Sequence, residues 1–231
     1  YYHLYHHHHL IPLLLFSLLS LSTPQHLPTA YPENHLLLLP SLRKSRRHDS
    51  LYCQSWRFSV ETNDAGKWST VPSRCIQFVT QYMTGHGYSS DSEMVAGNSL
   101  DFAHSVQVAA DGKDAWIFDI DDTLLSNLPY YQTRGFGSEV FDEESFDDWV
   151  KQAEAPALSA SLSLYKELQQ LGFKLFLLTG RTEPSRNATV ENLRLAGYDN
   201  WERLVLRGPS DKAKLAIDFK SEKRKVLEDE G

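Results

Sequence analysis

The sequence is poor in the features that would commit it to several common classes. Its 231 residues include two cysteines, Cys53 and Cys75, and no Cys-x-x-Cys pair, which leaves out zinc ribbons and thioredoxin-type redox sites. The apolar run Leu10 to Leu21 is twelve residues long, short of the about 20 needed to cross a bilayer. Basic charge is not in surplus, with 23 Lys and Arg against 30 Asp and Glu and a net charge of -7, so nucleic acid and anionic membrane are disfavoured partners. No Gly-x-x-x-x-Gly-Lys loop occurs, which argues against a P-loop ATPase. The chain also lacks an initiator Met, so its beginning reads as missing or misread.

What is present suits one domain with appendages. Hydrophobic residues make up 41% and aromatics 12%, enough for a sizeable core. Residues 1–22 read as a secretory leader, with Leu10–Leu21 as the apolar centre and Ser20 and Ser22 as small residues at a cleavage site. Residues 23–50 read as a linker or pro-segment that carries the basic block Ser41–Arg47, and His6–His9 is too short a run to make a metal site. Beyond residue 50 the chain holds 19 basic and 28 acidic residues, a net of -9. An acidic domain of this kind needs local positive charge or a metal if it is to handle anions.

In a secreted chain Cys53 and Cys75 are expected to pair, with two buried thiols as the alternative; closing the loop would contribute about 3 kcal/mol on the chain-entropy model. Trp56, Phe58 and Val60 alternate with polar neighbours, which predicts a strand or extended arm, and Asn63–Lys67 reads as a turn. Ile76, Val79 and Met83 fall at helical spacing, and a second helix is predicted from about Ser92 to Ala110.

The most informative stretch is Trp116 to Leu125. An apolar, aromatic and β-branched run reads as a buried strand and ends in Asp119, Asp121 and Asp122. Clustered carboxylates resist simultaneous ionisation, so such a strand end implies a compensating cation or a proton-transfer task. Residues 126–156 follow, rich in acids and in the rings of Tyr130, Tyr131, Phe136, Phe141, Phe146 and Trp149; for each ring a small satellite core is weighed against the mouth of a site. Leu158, Leu162, Tyr165 and Leu168 then mark an amphipathic helix stopped at Gly172. Phe173–Leu178 reads as a strand buried on both faces and leading into Thr179-Gly180-Arg181. A helix beginning near Pro184 follows, with Val190, Leu193 and Leu195 inside, then a strand at Arg203–Leu206 and a basic helical stretch at Lys220–Lys225. Alternating strands and helices at these lengths predict an α/β fold with a Rossmann-like parallel sheet, flanking helices and a small helical, aromatic insertion after the first strand. Ligands of such sheets bind beyond the carboxyl ends of the strands.

Asp119-x-Asp121-x-Thr123, Thr179-Gly180-Arg181 and Lys220 in Phe219-Lys220-Ser221 resemble the first three motifs of the haloacid dehalogenase (HAD) superfamily phosphatases. Cys53 with Ser55-Trp56-Arg57, the run Phe118–Tyr131, Thr179–Leu193 and Lys220–Arg224 are similar to the plant acid phosphatases that include vegetative storage proteins. The resemblance covers nearly everything from Cys53 to Gly231. It implies acid phosphatase activity on small phosphomonoesters. The acidic charge argues against a nucleic acid partner, the short apolar run against a stable membrane span and the leader-like segment for a secreted or vacuolar location, with a homodimer kept as a candidate assembly.

The residue types suit that chemistry. Asp119 is expected to attack phosphorus, and Asp121 to give and take the proton, with neighbouring carboxylates raising its pKa. Thr179, the Gly180 amide and Lys220 are expected to hold the phosphoryl group, and Mg²⁺ to sit on Asp119 and the main-chain carbonyl of Asp121. Asp122 is left without a catalytic role, as a loop-orienting or capping residue. Arg181 is balanced between a substrate contact and an exposed structural arginine. Lys212, Lys214 and Lys223 compete with Lys220, and only the following serine and the family match favour Lys220. Asn187-Ala188-Thr189 is a glycosylation sequon. The superfamily's fourth acidic motif, Gly-Asp-x-x-x-Asp, has no counterpart; Glu228, Asp229 and Glu230 read as solvated helix surface, and the C-terminus is expected to be truncated. The competing function is a storage protein with weak or lost activity, against which the presence of Asp119 weighs.

Overall fold

The computed structural model describes residues 46–211 and 213–230. The leader-like segment and most of the linker fall outside them, as does Lys212. The described residues fall into two compact units, divided between Gly66 and Lys67.

In the first unit the described residues form helix α1, Arg46–Glu61. This corrects the expected strand. Cys53, Trp56 and Val60 follow one helical face and are buried or half-buried, while Phe58, which alternation would have placed inside, is 66% exposed. Three residues alternating over five positions fit either period, and here the local bonds decide: Arg57 pairs with Glu61 one turn on, and Ser59 Oγ donates to the Ser55 carbonyl. The predicted turn follows, with Asn63 in the left-handed region at φ 61°. The chain's two cysteines are both disulfide-bonded, so the expected Cys53–Cys75 bond is present.

The second unit begins with α2, Ile76–Thr84, and α3, His86–Ser105. Helix α3 starts and ends earlier than its periodicity suggested, because Val106 turns extended at ψ 128° and leads toward the sheet. Strand β1 spans Ala115–Phe118, β2 Lys174–Thr182 and β3 Arg203–Arg207. They pair in parallel in the order β1-β2-β3, with Phe118 opposite Leu177 and Leu177 opposite Leu204. Between β1 and β2 lie α4, Leu128–Gln132, α5, Glu143–Gln152, and α6, Ser159–Gln170. Helix α7, Arg186–Leu195, links β2 to β3, and α8, Ala216–Asp229, follows. The parallel sheet with flanking helices is the expected α/β architecture.

The main core joins Phe118, Ile120, Leu124 and Leu125 to Tyr165, Leu168, Leu175, Leu177, Leu193 and Tyr198. Each wholly buried Leu contributes roughly 1.5–3 kcal/mol relative to exposure. Leu195, expected inside, is 73% exposed; the core face of α7 is set instead by Thr189, Asn192 and Leu193. The insertion has its own satellite core of Tyr130, Tyr131, Phe146 and Val150, against which Trp68, Phe141 and Trp149 pack. Strand β2 is longer than expected and carries Thr179-Gly180-Arg181 within it, at an irregularity in its pairing with β3 between Leu178 and Thr182. Glu228, Asp229 and Glu230 are exposed, as expected, and pair with Arg224, Lys225 and Arg203 respectively.

Candidate active site

The last residues in register on the first two strands are Phe118 and Leu177. Asp119 and Thr179 therefore lie one and two residues beyond the last pair of β1 with β2, Thr179 still within β2. After Asp119 the chain closes a tight loop: the amides of Thr123, Leu124 and Leu125 all donate to the Ile120 carbonyl, and the Asp122 amide to the Leu125 carbonyl at 2.7 Å. Ile120, Leu124 and Leu125 are wholly buried and anchor it. Asp122 adopts the left-handed conformation at φ 52°, which Asp tolerates better than most residues. The buried Tyr198 hydroxyl braces the loop by donating to the Leu124 carbonyl.

Asp119 is half-buried, with its side chain 30% exposed. Its Oδ1 accepts from the Ile120 amide at 2.8 Å, and its Oδ2 from Lys220 Nζ at 2.6 Å. Lys220 comes from α8, 101 residues away in sequence. The rival lysines are turned elsewhere: Lys214 and Lys223 both pair with Asp211. The structure thus brings Asp119 and Lys220 together and separates the other described candidates from them.

Asp121 and Arg181 form the second half of the cluster, and both side chains are only 3% exposed. Arg181 Nε lies 3.1 Å from each Asp121 oxygen, and Nη2 is 2.8 Å from Oδ1. This forked contact is the geometry that favours arginine for holding a carboxylate. It corrects the reading of Arg181 as an exposed side chain. Arg181 Nη1 also donates to Thr189 Oγ1, so the sequon threonine is wholly buried while Asn187 itself is exposed.

Asp122 does cap the segment that follows it, since its Oδ1 accepts from the Asn127 amide at 2.8 Å. It is 5% exposed, and its carboxyl is pushed up to about 7, first by burial and then by the nearby charges of Asp121 and Asp119, against the lowering effect of Asn127. Thr179 has no exposed surface; its hydroxyl accepts from the Arg181 amide at 3.1 Å and keeps its own proton to donate. A Cβ at Gly180 would meet no atom within 4 Å and its φ is not positive, so neither packing nor backbone requires glycine there. The space beside it is open to a ligand.

Sequence reasoning missed Asn127, and it weighed Trp149 as a ring of a satellite core or of the mouth of a site without its bond to Asn127. Asn127 is wholly buried and its Nδ2 reaches Asp121 Oδ1 at 3.1 Å and Asp122 Oδ2 at 3.4 Å. Trp149 Nε1 donates to Asn127 Oδ1 at 3.0 Å. The one available signal was an amide in an otherwise apolar run, and nothing in the sequence names its partner 22 positions on. Trp149 and Tyr130 also line a cavity of about 510 Å³ between α4 and α5, so those two rings serve both the satellite core and a concave surface.

Among the described residues no group of three or more His, Cys, Asp or Glu is placed to hold a metal ion. Asp119 offers one carboxylate, whereas that of Asp121 is engaged by Arg181. One carboxylate with a main-chain carbonyl and a phosphate oxygen is a donor set that suits a hard, water-retaining ion such as Mg²⁺.

A parallel α/β sheet that carries a lysine-paired aspartate beside a guanidinium-bound aspartate is an arrangement suited to phosphoryl chemistry. The family model described as HAD superfamily, subfamily IIIB (Acid phosphatase) matches residues 41–231, and the chain belongs to that family. It is 47% identical over 208 residues to Acid phosphatase 1 of Solanum lycopersicum, covering 90% of this chain and 77% of that one. It is 35% identical over 181 residues to Vegetative storage protein 2 of Arabidopsis thaliana, covering 78% and 68%. Among solved structures, the class C acid phosphatase from Bacillus anthracis with tungstate bound matches with a TM-score of 0.53 at 22% identity, over 67% of this chain and 64% of that chain. At that identity the likeness speaks for the fold.

Proposed function

We propose that the protein is an acid phosphatase that hydrolyses small phosphomonoesters through an aspartyl-phosphate on Asp119. The observation that carries this reading is the 2.6 Å contact between Lys220 Nζ and Asp119 Oδ2, an ammonium set against a half-exposed carboxylate where a phosphoryl group would arrive. A carboxylate oxygen of Asp119 attacks phosphorus as the ester P–O bond breaks, and Asp121 gives the departing alkoxide its proton. A water then attacks the aspartyl-phosphate, Asp121 takes the proton back, and inorganic phosphate leaves. Lys220 offsets the charge that accumulates on the phosphoryl oxygens, with the Gly180 amide and the Thr179 hydroxyl as neutral donors. Family membership points to a divalent metal, for which we favour Mg²⁺ held by Asp119 and the Asp121 carbonyl; when bound it would supply further positive charge at phosphorus.

The relationship to vegetative storage proteins keeps a nitrogen-reserve role in view, in which turnover is incidental. Asp119 and its lysine partner favour the enzyme. Release of p-nitrophenol from p-nitrophenyl phosphate at pH 5 with Mg²⁺, compared between the wild type and Asp119→Asn, decides between them. Turnover in the wild type that falls to background in the variant is expected; equal release from both would remove the nucleophile assignment.

The location we propose is secreted or vacuolar. It is supported by the apolar run Leu10–Leu21 and by a disulfide, which persists in oxidising compartments. Exposed Asn187 is the proposed glycan acceptor, and a mass loss on glycosidase treatment of the secreted protein checks it. No helix among the described residues is long and apolar enough to cross a membrane. A homodimer remains a proposal that sedimentation of the purified protein would test.

A further inference from the structure

Asn127 stands at the N-cap position of α4, where an asparagine side chain ordinarily accepts from a free helix amide. Its side chain makes no such bond. It is directed instead into the site, with its Nδ2 toward the carboxylates of Asp121 and Asp122 and its Oδ1 toward the indole of Trp149 in α5. The polarity of this chain of bonds is determined by chemistry. An indole N–H only donates, so Trp149 requires the oxygen of the Asn127 amide on its side and thereby presents the NH₂ group to the aspartates. Without the indole donor the amide could rotate by half a turn and set its oxygen against the Asp121 carboxylate that Arg181 holds.

We propose that Asn127 and Trp149 are positioning residues for the proton-transfer aspartate: the Trp149–Asn127 bond fixes the amide that orients the Asp121 carboxylate. This rests on the phosphatase reading above. Arg181 holds Asp121 from the β2 side, and Asn127 supplies a second, neutral donor from the insertion, which makes the orientation of that carboxylate depend on α5 as well as on the sheet. The insertion thus contributes to proton transfer through a single indole hydrogen bond.

Trp149→Phe keeps an aromatic ring in the satellite core and removes only the donor. The expected result with p-nitrophenyl phosphate is a kcat about tenfold lower with KM held within about twofold, since the loss falls on a proton-transfer step rather than on binding. Trp149→His restores a ring N–H and is expected to recover part of kcat, which a variant that merely loosened packing would not do. Independently of turnover, the indole N–H resonance of Trp149, assigned by its disappearance in Trp149→Phe, is expected to shift and to exchange faster with solvent in Asn127→Ala. A folded Trp149→Phe with parental kcat overturns the proposal, as does an indole resonance unmoved by Asn127→Ala. If the parent protein releases no phosphate, the functional reading falls, and the indole measurement still decides whether the bonded pair exists.

Discussion

Asp119 and Asp121 are two residues apart in sequence, yet they occupy opposite environments. Asp119 sits at the open side of the strand end, 30% exposed, with one lysine that is itself 33% exposed. Asp121 is sealed at 3%, gripped by a guanidinium with the same exposure and touched by a buried amide. The half-exposed pair can reorganise around an incoming phosphate, because its lysine is a flexible point charge. The buried pair cannot do so cheaply, because separating it leaves a desolvated charge. The two carboxylates are thus distinguished here by environment rather than by residue type, as the different tasks proposed for them require.

The comparison can be broken most severely at Arg181. Arg181→Met is expected to lower stability by roughly 3–5 kcal/mol, because it strands the Asp121 carboxylate in a dry site. Urea unfolding measures this, and the double variant Arg181→Met with Asp121→Leu should recover much of the loss while leaving no turnover. If the single and double variants unfold alike, the buried pair is not what holds this half of the site.

Asp122 comes next. Its carboxyl, held up to about 7 when folded against an ordinary 3.8, keeps a proton that the unfolded chain has already lost between those values. In EDTA-treated protein this contribution to stability is therefore fully present below about pH 4 and disappears as pH rises through about 7, an effect on the order of 4 kcal/mol. Asp122→Asn should flatten that part of the pH–stability curve, and an unchanged curve would show that Asp122 is ionised in the fold. On the open side, Lys220→Met is expected to cost about a hundredfold in kcat/KM on p-nitrophenyl phosphate with the melting temperature nearly unchanged; a larger change in stability than in turnover would reverse the contrast between the two pairs. The smallest effect is expected at Lys174, whose 2.9 Å pair with Glu202 is 45% exposed on both sides. Lys174→Ala should change stability by less than about 1 kcal/mol.

Much of the α/β alternation was legible because its strands are short apolar runs and its core helices repeat at three and four residues. The arm around Trp56 was misread because three residues cannot distinguish a period of two from one of 3.6, and helical side-chain bonds such as Arg57–Glu61 decide it. Leu195 was misassigned because apolar character does not reveal which face of a helix meets the sheet. Within the site, the aspartates, Thr179 and Lys220 stood out as chemistry-bearing residues at predicted element ends. The bond from Arg181 to Asp121 spans 60 positions and that from Trp149 to Asn127 spans 22. Neither partner choice leaves a local trace.

By itself, then, the sequence determined the alternation of strands and helices from β1 onward, the acidic strand end and the candidate residues for phosphoryl transfer, because periodicity and side-chain chemistry are local properties. The tertiary structure decided which lysine meets Asp119, that Arg181 turns inward, that burial pushes up the Asp122 carboxyl and that Asn127 leaves its helix cap to hold Asp121. Those outcomes depend on burial and on contacts between distant segments, where the cost of an unpaired charge or amide selects the partner.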